Sequence, residues 1–265
     1  MKLQVLIENT AADASLCAEH GLSLYLETGK HKILFDFGQS DGLVHNARRM
    51  GVSLADVDLA VLSHGHYDHG GGIAAFLACN SKAPVYLSRH AFAPCYNGQG
   101  RYIGLDPALK TCPRLVFVDD ALPIGDGLTL HACNSCDRPW PFPSFGLSVQ
   151  EGALRRPDDF AHEQYLLVRE GERTILLSGC SHKGVLNALS WFSPDVFIGG
   201  FHFMKLDPEN PQDRDALDRA AAQMLAAPTK QYYTGHCTGQ AQLDYLQARM
   251  GPRLKALTTG AAFVV

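Results

Sequence analysis

Residues 63–72, SHGHYDHGGG, bring four side chains able to ligate a metal, His64, His66, Asp68 and His69, into six consecutive positions. Imidazole and carboxylate suit zinc, iron or manganese, and four such groups in one loop predict two ions rather than one. Along an extended stretch His64 and His66 point to the same side and can grip one ion. Asp68 and His69 then face a second. The plainer reading is a solvated His-rich loop. With 12 His in 265 residues, three at this spacing arise by chance in about a few per cent of such chains, the ordinary false-positive risk of a short motif. The metal reading is therefore preferred, with two divalent ions as cofactors. Zinc is the leading candidate, and manganese or iron the alternatives.

Such a loop needs elements to hold it. The apolar run VDLAVL at 57–62 reads as a buried strand delivering the loop, and the three glycines of 70–72 let the chain turn into a helix over 73–79. Further strands are expected over 3–8, 22–28, 32–36, 57–63, 85–88, 115–118, 128–131, 164–169, 174–178, 196–199, 231–234 and 254–258. TGKH at 28–31 and REGERT at 169–174 read as hairpin turns, each carrying Gly between apolar residues. Helices are expected over 42–50, 73–79, 184–191, 212–226 and 240–250. Prolines at 208, 211 and 228 bracket the fourth of these. Early hairpins followed by strand–helix alternation predict an α+β chain of two sheets packed face to face, with helices outside. One domain over 1–265 is expected. Residues 90–160, rich in Pro, Gly, Cys and aromatics, break the pattern and read partly as strands of the second sheet and partly as a cover over the site.

Composition narrows the rest. The net charge is −4 with no basic run, which gives no hint of a nucleic-acid partner. No apolar stretch approaches the roughly 20 residues of a membrane span. The opening MKLQVLIENT is interrupted by Gln4 and is not read as a signal peptide. A cytoplasmic protein acting on a small molecule is expected, and the eight cysteines are then free thiols. Cys133 and Cys136 form a lone CNSC, and a zinc ribbon would need a second pair at similar spacing.

HGHYDHGGG resembles the HxHxDH signature of the metallo-β-lactamase fold superfamily. LFDFG at 34–38 is similar to that family's upstream strand-Asp-x-Gly element, and SGCSH at 178–182 and TGHCTG at 234–239 sit where its later ligand motifs belong. The set ENT, HGLS, LFDFGQS, GCSH, GGFH and YTGHCTG resembles one branch in particular, that of dihydropterin-methyl-(ribofuranosyl)aminobenzene-phosphate synthase. The matches run from Glu8 to Gly239.

The resemblance implies an αββα sandwich of two mixed sheets, with His182 and His236 completing the metal ligands. Family members commonly place a bridging Asp where this chain has Cys180, so Cys180 is either a thiolate ligand or a buried residue behind the ligands. Asp36 would orient a ligand imidazole. Asn9 and His20 are candidate pocket residues, with turn and capping roles as the alternative. His202 in GGFHF faces the cavity as ligand, proton donor or phosphate contact, or else is a structural histidine. Cys237 is expected to point away. Arg138, near Trp140 and Phe142, and Arg89 with His90 could grip a planar, phosphate-bearing substrate.

Three activities suit such a centre. The first is hydrolysis of an ester, phosphoester or lactone by water acidified between two ions, with Asp68 orienting the nucleophile and His202 stabilising developing charge. The second, implied by the resemblance to the synthase branch rather than by the centre itself, is transfer, joining a pterin diphosphate to a (ribofuranosyl)aminobenzene phosphate. The third is di-iron redox chemistry, for which no GxGxxG follows a strand. No GxSxG motif suggests a serine hydrolase.

Overall fold

A computed structural model describes residues 1–265. Two seven-stranded sheets form its centre. The first runs in the order Ala262–Val264, Lys2–Ile7, Ser23–Glu27, Lys32–Phe35, Leu59–Val61, Val85–Ser88 and Leu115–Val118. The second runs Leu254–Ala256, Gln231–Thr234, Val196–Ile198, Arg173–Leu177, Tyr165–Glu170, Leu128–His131 and Ala121–Gly125. Each sheet is antiparallel at one end and parallel at the other. In the first, the strands from Lys32–Phe35 to Leu115–Val118 are parallel. In the second, those from Arg173–Leu177 to Leu254–Ala256 are.

The layering follows from side-chain alternation. Leu166 and Val168 join Ile175 and Leu177 in the apolar layer between the sheets, together with Leu3, Val5 and Leu24 of the first sheet. The intervening Tyr165, Leu167 and Leu176 face outward onto Val185, Leu189, Leu217 and Leu246 of the helices. On the opposite flank Leu6 and Leu34 pack against Leu43, Ile73 and Phe76. A period of two on every central strand, with both faces covered, gives helix, sheet, sheet, helix. This is the expected αββα sandwich.

Helices form at Gly42–Arg49, Ile73–Cys79, Val185–Phe192, Pro211–Ala226 and Gln240–Met250, within a residue or two of expectation. Asn210 caps the longest by accepting the Gln212 and Asp213 N–H groups at 2.9 and 3.4 Å, and Pro211 follows at the first helical position. Both expected hairpins are present, Leu24 pairing with Phe35 and Val168 with Ile175.

Within 90–160, Ala121–Gly125 and Leu128–His131 join the second sheet as expected, while Leu115–Val118 goes instead to the first, parallel to Val85–Ser88. The segment also builds a small third sheet of Leu154–Pro157, Ser148–Glu151 and Cys95–Tyr96. These strands, Ala121–Gly125 and Ala262–Val264 escaped the sequence reading because they are short, and all but Ser148–Glu151 sit at edges. Several also carry Pro or exposed charge, as edge strands commonly do.

Candidate metal centre

All the chemistry-bearing loops leave the carboxyl ends of parallel-paired strands, where α/β sheets open a crevice. Asp36 follows Lys32–Phe35, and the HxHxDH loop follows Leu59–Val61. Cys180 and His182 follow Arg173–Leu177, His202 follows Val196–Ile198 and His236 follows Gln231–Thr234. The loop is extended only as far as His66. From Tyr67 to Gly70 it coils into a helical turn, which turns the Asp68 carboxylate and the His69 Nε2 toward His236. Gly72 lets this turn lie against the backbone, since a Cβ there would meet the Phe37 carbonyl oxygen at 2.1 Å.

Two half-sites result. The ligand atoms of His64, His66 and His182 all lie within 4.8 Å of one another, with His64 Nε2 and His182 Nε2 3.3 Å apart. In the second half-site, His69 Nε2 is 3.1 Å from His236 Nε2, and Asp68 Oδ2 is 3.3 Å from the latter. Two nitrogens bound to one tetrahedral zinc at about 2.0–2.1 Å would stand about 3.3–3.4 Å apart. The observed spacing is thus that of donors converging on a shared cation.

Cys180 lies between the halves. Its Sγ is 3.2 Å from His69 Nε2, and it belongs to one group with His64 and His69, another with His182 and His202, and a third with His236 and Cys237.

The groups behind these ligands fix their tautomers. Asp36, buried and held at φ 60°, accepts from His69 Nδ1 and from Ser63 Oγ, both at 2.7 Å. Having donated its proton there, Ser63 Oγ accepts from His64 Nδ1 at 2.9 Å. Asn9 Oδ1 accepts from His236 Nδ1 at 2.9 Å. In all three rings the proton is thereby placed on Nδ1 and a lone pair on Nε2, the nitrogen aimed into the centre. Buried Glu163 accepts the His182 and Lys183 N–H groups at 2.6 and 2.9 Å, pinning the loop after Arg173–Leu177. The Nε2 of His66 and the Nδ1 atoms of His182 and His202 are buried without a protein partner.

Electrostatics agree with a cation-seeking centre. Burial, reinforced by neighbouring imidazoles, holds His64 and His182 well below the usual imidazole range, and burial takes His66 to about 3. Burial also opposes a charged His69, yet Asp36 and Asp68 raise it to about 9. Asp68 is buried, but His69 and His236 keep its carboxyl below the usual range. These residues fit divalent ions, which would take the place of the proton on His69.

The centre opens into a cavity of about 190 Å³ lined by His20, Asp68, Cys180, His182, His202 and Lys205, with Asn97, Phe145 and Leu147 contributed by the cover. His20 is placed there as expected, its Nε2 3.4 Å from Asp68 Oδ2. His202 is there too, at φ 56° with its ring 4.2 Å from that of His182.

Three expectations fail. Asn9 does not line the cavity but stands behind His236. Arg138 lies outside, donating to the Asp159 carbonyl at 3.1 Å, and Arg89 pairs with Asp119 on the surface, so neither builds a phosphate clamp. Cys237 turns inward, because His236–Thr238 forms a 3₁₀ turn with His236 at φ 50°, which breaks the alternation of an extended segment. Gly200 makes room for its sulfur, since a Cβ there would meet Cys237 Sγ at 2.3 Å. Sequence reading also missed Glu163 and Lys205, which carry no motif. Ser63 stands directly before the first histidine and could have been found.

The profile of the metallo-beta-lactamase superfamily matches residues 18–183, and the chain belongs to that superfamily. The crystal structure of a metal-dependent hydrolase of the beta-lactamase superfamily superposes with a TM-score of 0.83 at 28% identity, covering 100% of this chain and 99% of that one. An uncharacterised protein of Methanocaldococcus jannaschii is 28% identical over 213 residues, 76% of this chain and 79% of that protein. The 7,8-dihydropterin-6-methyl-4-(β-D-ribofuranosyl)-aminobenzene-5′-phosphate synthase of the same organism is 25% identical over 264 residues, 90% of this chain and 88% of that protein. This supports the branch that the motifs point to.

Proposed function

We propose that the protein is a hydrolase of an ester, phosphoester or lactone, dependent on two divalent ions, most readily zinc. The observation that carries this reading is the pairing of two converging donor sets, His64/His66/His182 and Asp68/His69/His236, with Cys180 between them. Ions bound there would lower the pKa of water to about 7 and polarise a substrate oxygen. The chain's own residues do the rest. Asp68 faces both His20 and His236 and can orient an attacking oxygen as well as hold an ion. His202 presents an unpartnered ring nitrogen at the cavity and can donate to developing negative charge. Lys205, exposed at the rim, offers a cation to a phosphate or carboxylate. Phe145, Leu147 and Ile103 narrow the access of water.

A second reading, transfer rather than hydrolysis, is favoured by the full-length similarity to the synthase. In it the same donors would hold ions that supply charge to a leaving diphosphate, and a (ribofuranosyl)aminobenzene phosphate would take the place of water as acceptor. A cytoplasmic setting and a small, phosphate-bearing substrate, rather than nucleic acid or membrane, suit the net charge of −4 and the eight unpaired cysteines. No helix is long and apolar enough to cross a membrane.

The test is metal analysis of the purified protein, followed by two assays. Two zinc or manganese ions per chain are expected, with acid or alcohol released from a phosphodiester or lactone panel without any acceptor. Turnover only when pterin diphosphate and an aminobenzene acceptor are both supplied would replace hydrolysis by transfer. Near-stoichiometric iron would favour the di-iron oxidoreductase. A protein whose metal content is unchanged by His64→Ala and Asp68→Ala would overturn the site.

A further inference from the structure

Beside the metal cavity lies a larger hollow of about 470 Å³ that the chemistry above does not use. Trp140, Phe142 and Phe145 of the cover form one wall, and Leu206 and Arg219 line the other side. Three aromatic rings and two prolines of one loop line this open hollow, although Phe142 also packs against the helix-side core, and such apolar lining is costly to maintain unless something apolar fills it.

We propose that this hollow holds the apolar, ring-bearing body of the substrate whose reacting group sits at the metal centre, an inference that rests on the hydrolase or transferase reading above. Three observations support it. Phe145 lines both cavities, so the two share a wall. The stretch after His202 serves both: Met204 and Lys205 face the metal cavity, while Phe203 and Leu206 face the hollow. The sizes are complementary. About 190 Å³ at the metals admits little beyond a reacting group, whereas about 470 Å³ falls within the roughly 300–1,000 Å³ usual for small-molecule pockets. A molecule with an anionic or acyl head and a flat aromatic body matches this division, with Lys205 at the head and the rings of Trp140 and Phe142 against the body.

Isothermal titration of the metal-loaded protein with 1-naphthyl phosphate and with inorganic phosphate tests the division. Naphthyl phosphate should bind at least about tenfold tighter, the share one well-placed aromatic contact contributes. Ala216→Trp, which fills the hollow from the surface of Pro211–Ala226, should erase that surplus and leave phosphate affinity unchanged. Phe142→Ala, a milder change, should reduce it several-fold, with circular dichroism confirming the fold of both. Equal affinity for the two ligands, or a surplus that survives Ala216→Trp, would overturn the proposal. Naphthyl phosphate bound in an Ala216→Trp-sensitive way by a protein that holds no metal and ignores phosphate would uphold the hollow and sink the metal centre instead.

Discussion

Replacing Asp36 by Asn changes two oxygens into one oxygen and one amide, and the centre is built so that this small change reaches both half-sites. The carboxylate accepts three hydrogen bonds, from Ser63 N, Ser63 Oγ and His69 Nδ1, each at 2.7 Å. In Asp36→Asn, one side of the group must present N–H to partners that are themselves donors. Either His69 shifts its proton to Nε2, the metal-facing nitrogen, or a buried donor goes unpaired at about 1–3 kcal/mol. Ser63 Oγ shares Oδ2 with His69 Nδ1, so where the amide nitrogen takes that place Ser63 Oγ also loses its acceptor and no longer holds the His64 Nδ1 proton. Removing a group that orients a ligand imidazole typically costs about 10–100-fold in metal affinity. Here one substitution disturbs His64 in the first half-site and His69 in the second, so both ions should weaken by about that factor. Asn9→Ala, which among the proposed ligands touches only His236, should weaken one ion and spare the other. Competition against a fluorescent chelator resolves the two binding steps. If Asp36→Asn leaves both affinities within about threefold of the parent, or weakens only one, the tautomer argument is wrong.

Other outcomes follow from the same geometry. With cobalt(II) in place of the native ion, Cys180 should give an intense sulfur-to-metal charge-transfer band. Cys180→Ser should lose it, and Cys180→Asp should keep two ions without it; a band unchanged by either substitution would remove Cys180 from the ligands. Lys205→Ala should raise KM for an anionic substrate several-fold, whereas Arg138→Ala, which lies outside the cavity, should leave kcat and KM unchanged in steady-state assays. Asp195 is lowered from 3.8 to about 2 by the Thr174 N–H and Lys230. Its folded-state pKa is depressed, so its contribution is present at higher pH and fades as pH falls through about 2. The urea midpoint should therefore drop less between about pH 4 and pH 2 in Asp195→Asn than in the parent.

Much of the sandwich was legible because its central strands are covered on both faces and run as short apolar segments. Val85–Ser88, Leu115–Val118, Leu128–His131 and Gln231–Thr234 match expectation to the residue. The edge strands Leu115–Val118 and Leu254–Ala256 were legible too, but Ala121–Gly125, which carries Pro123, and the mostly exposed Leu154–Pro157 were not. The site divided in the same way. His64, His66, Asp68 and His69 stand in one motif, and His182 and His236 were placed by resemblance at strand ends that the structure brings together. Long-range partners left no such trace. Glu163 meets the loop after Arg173–Leu177 across the fold, and Asn9 reaches His236 over a sequence separation of 227. Their roles depend on which strand lies beside which, and a linear reading of side-chain types does not specify that. Arg138 misled for the converse reason: its neighbours in sequence, Trp140 and Phe142, face a different hollow.

The distance along the chain between the two imidazoles of the second half-site has a consequence for biogenesis. His69 and His236 are 167 positions apart, and their nitrogens meet only when both sheets have formed and closed on each other. A zinc finger gathers its donors locally and folds around the ion. This chain must wait for its last parallel strands to dock, a slow non-local step. Under the two-ion reading, capture of a second ion would therefore mark completed assembly: truncated or half-folded molecules should bind at most one divalent ion in a metal titration.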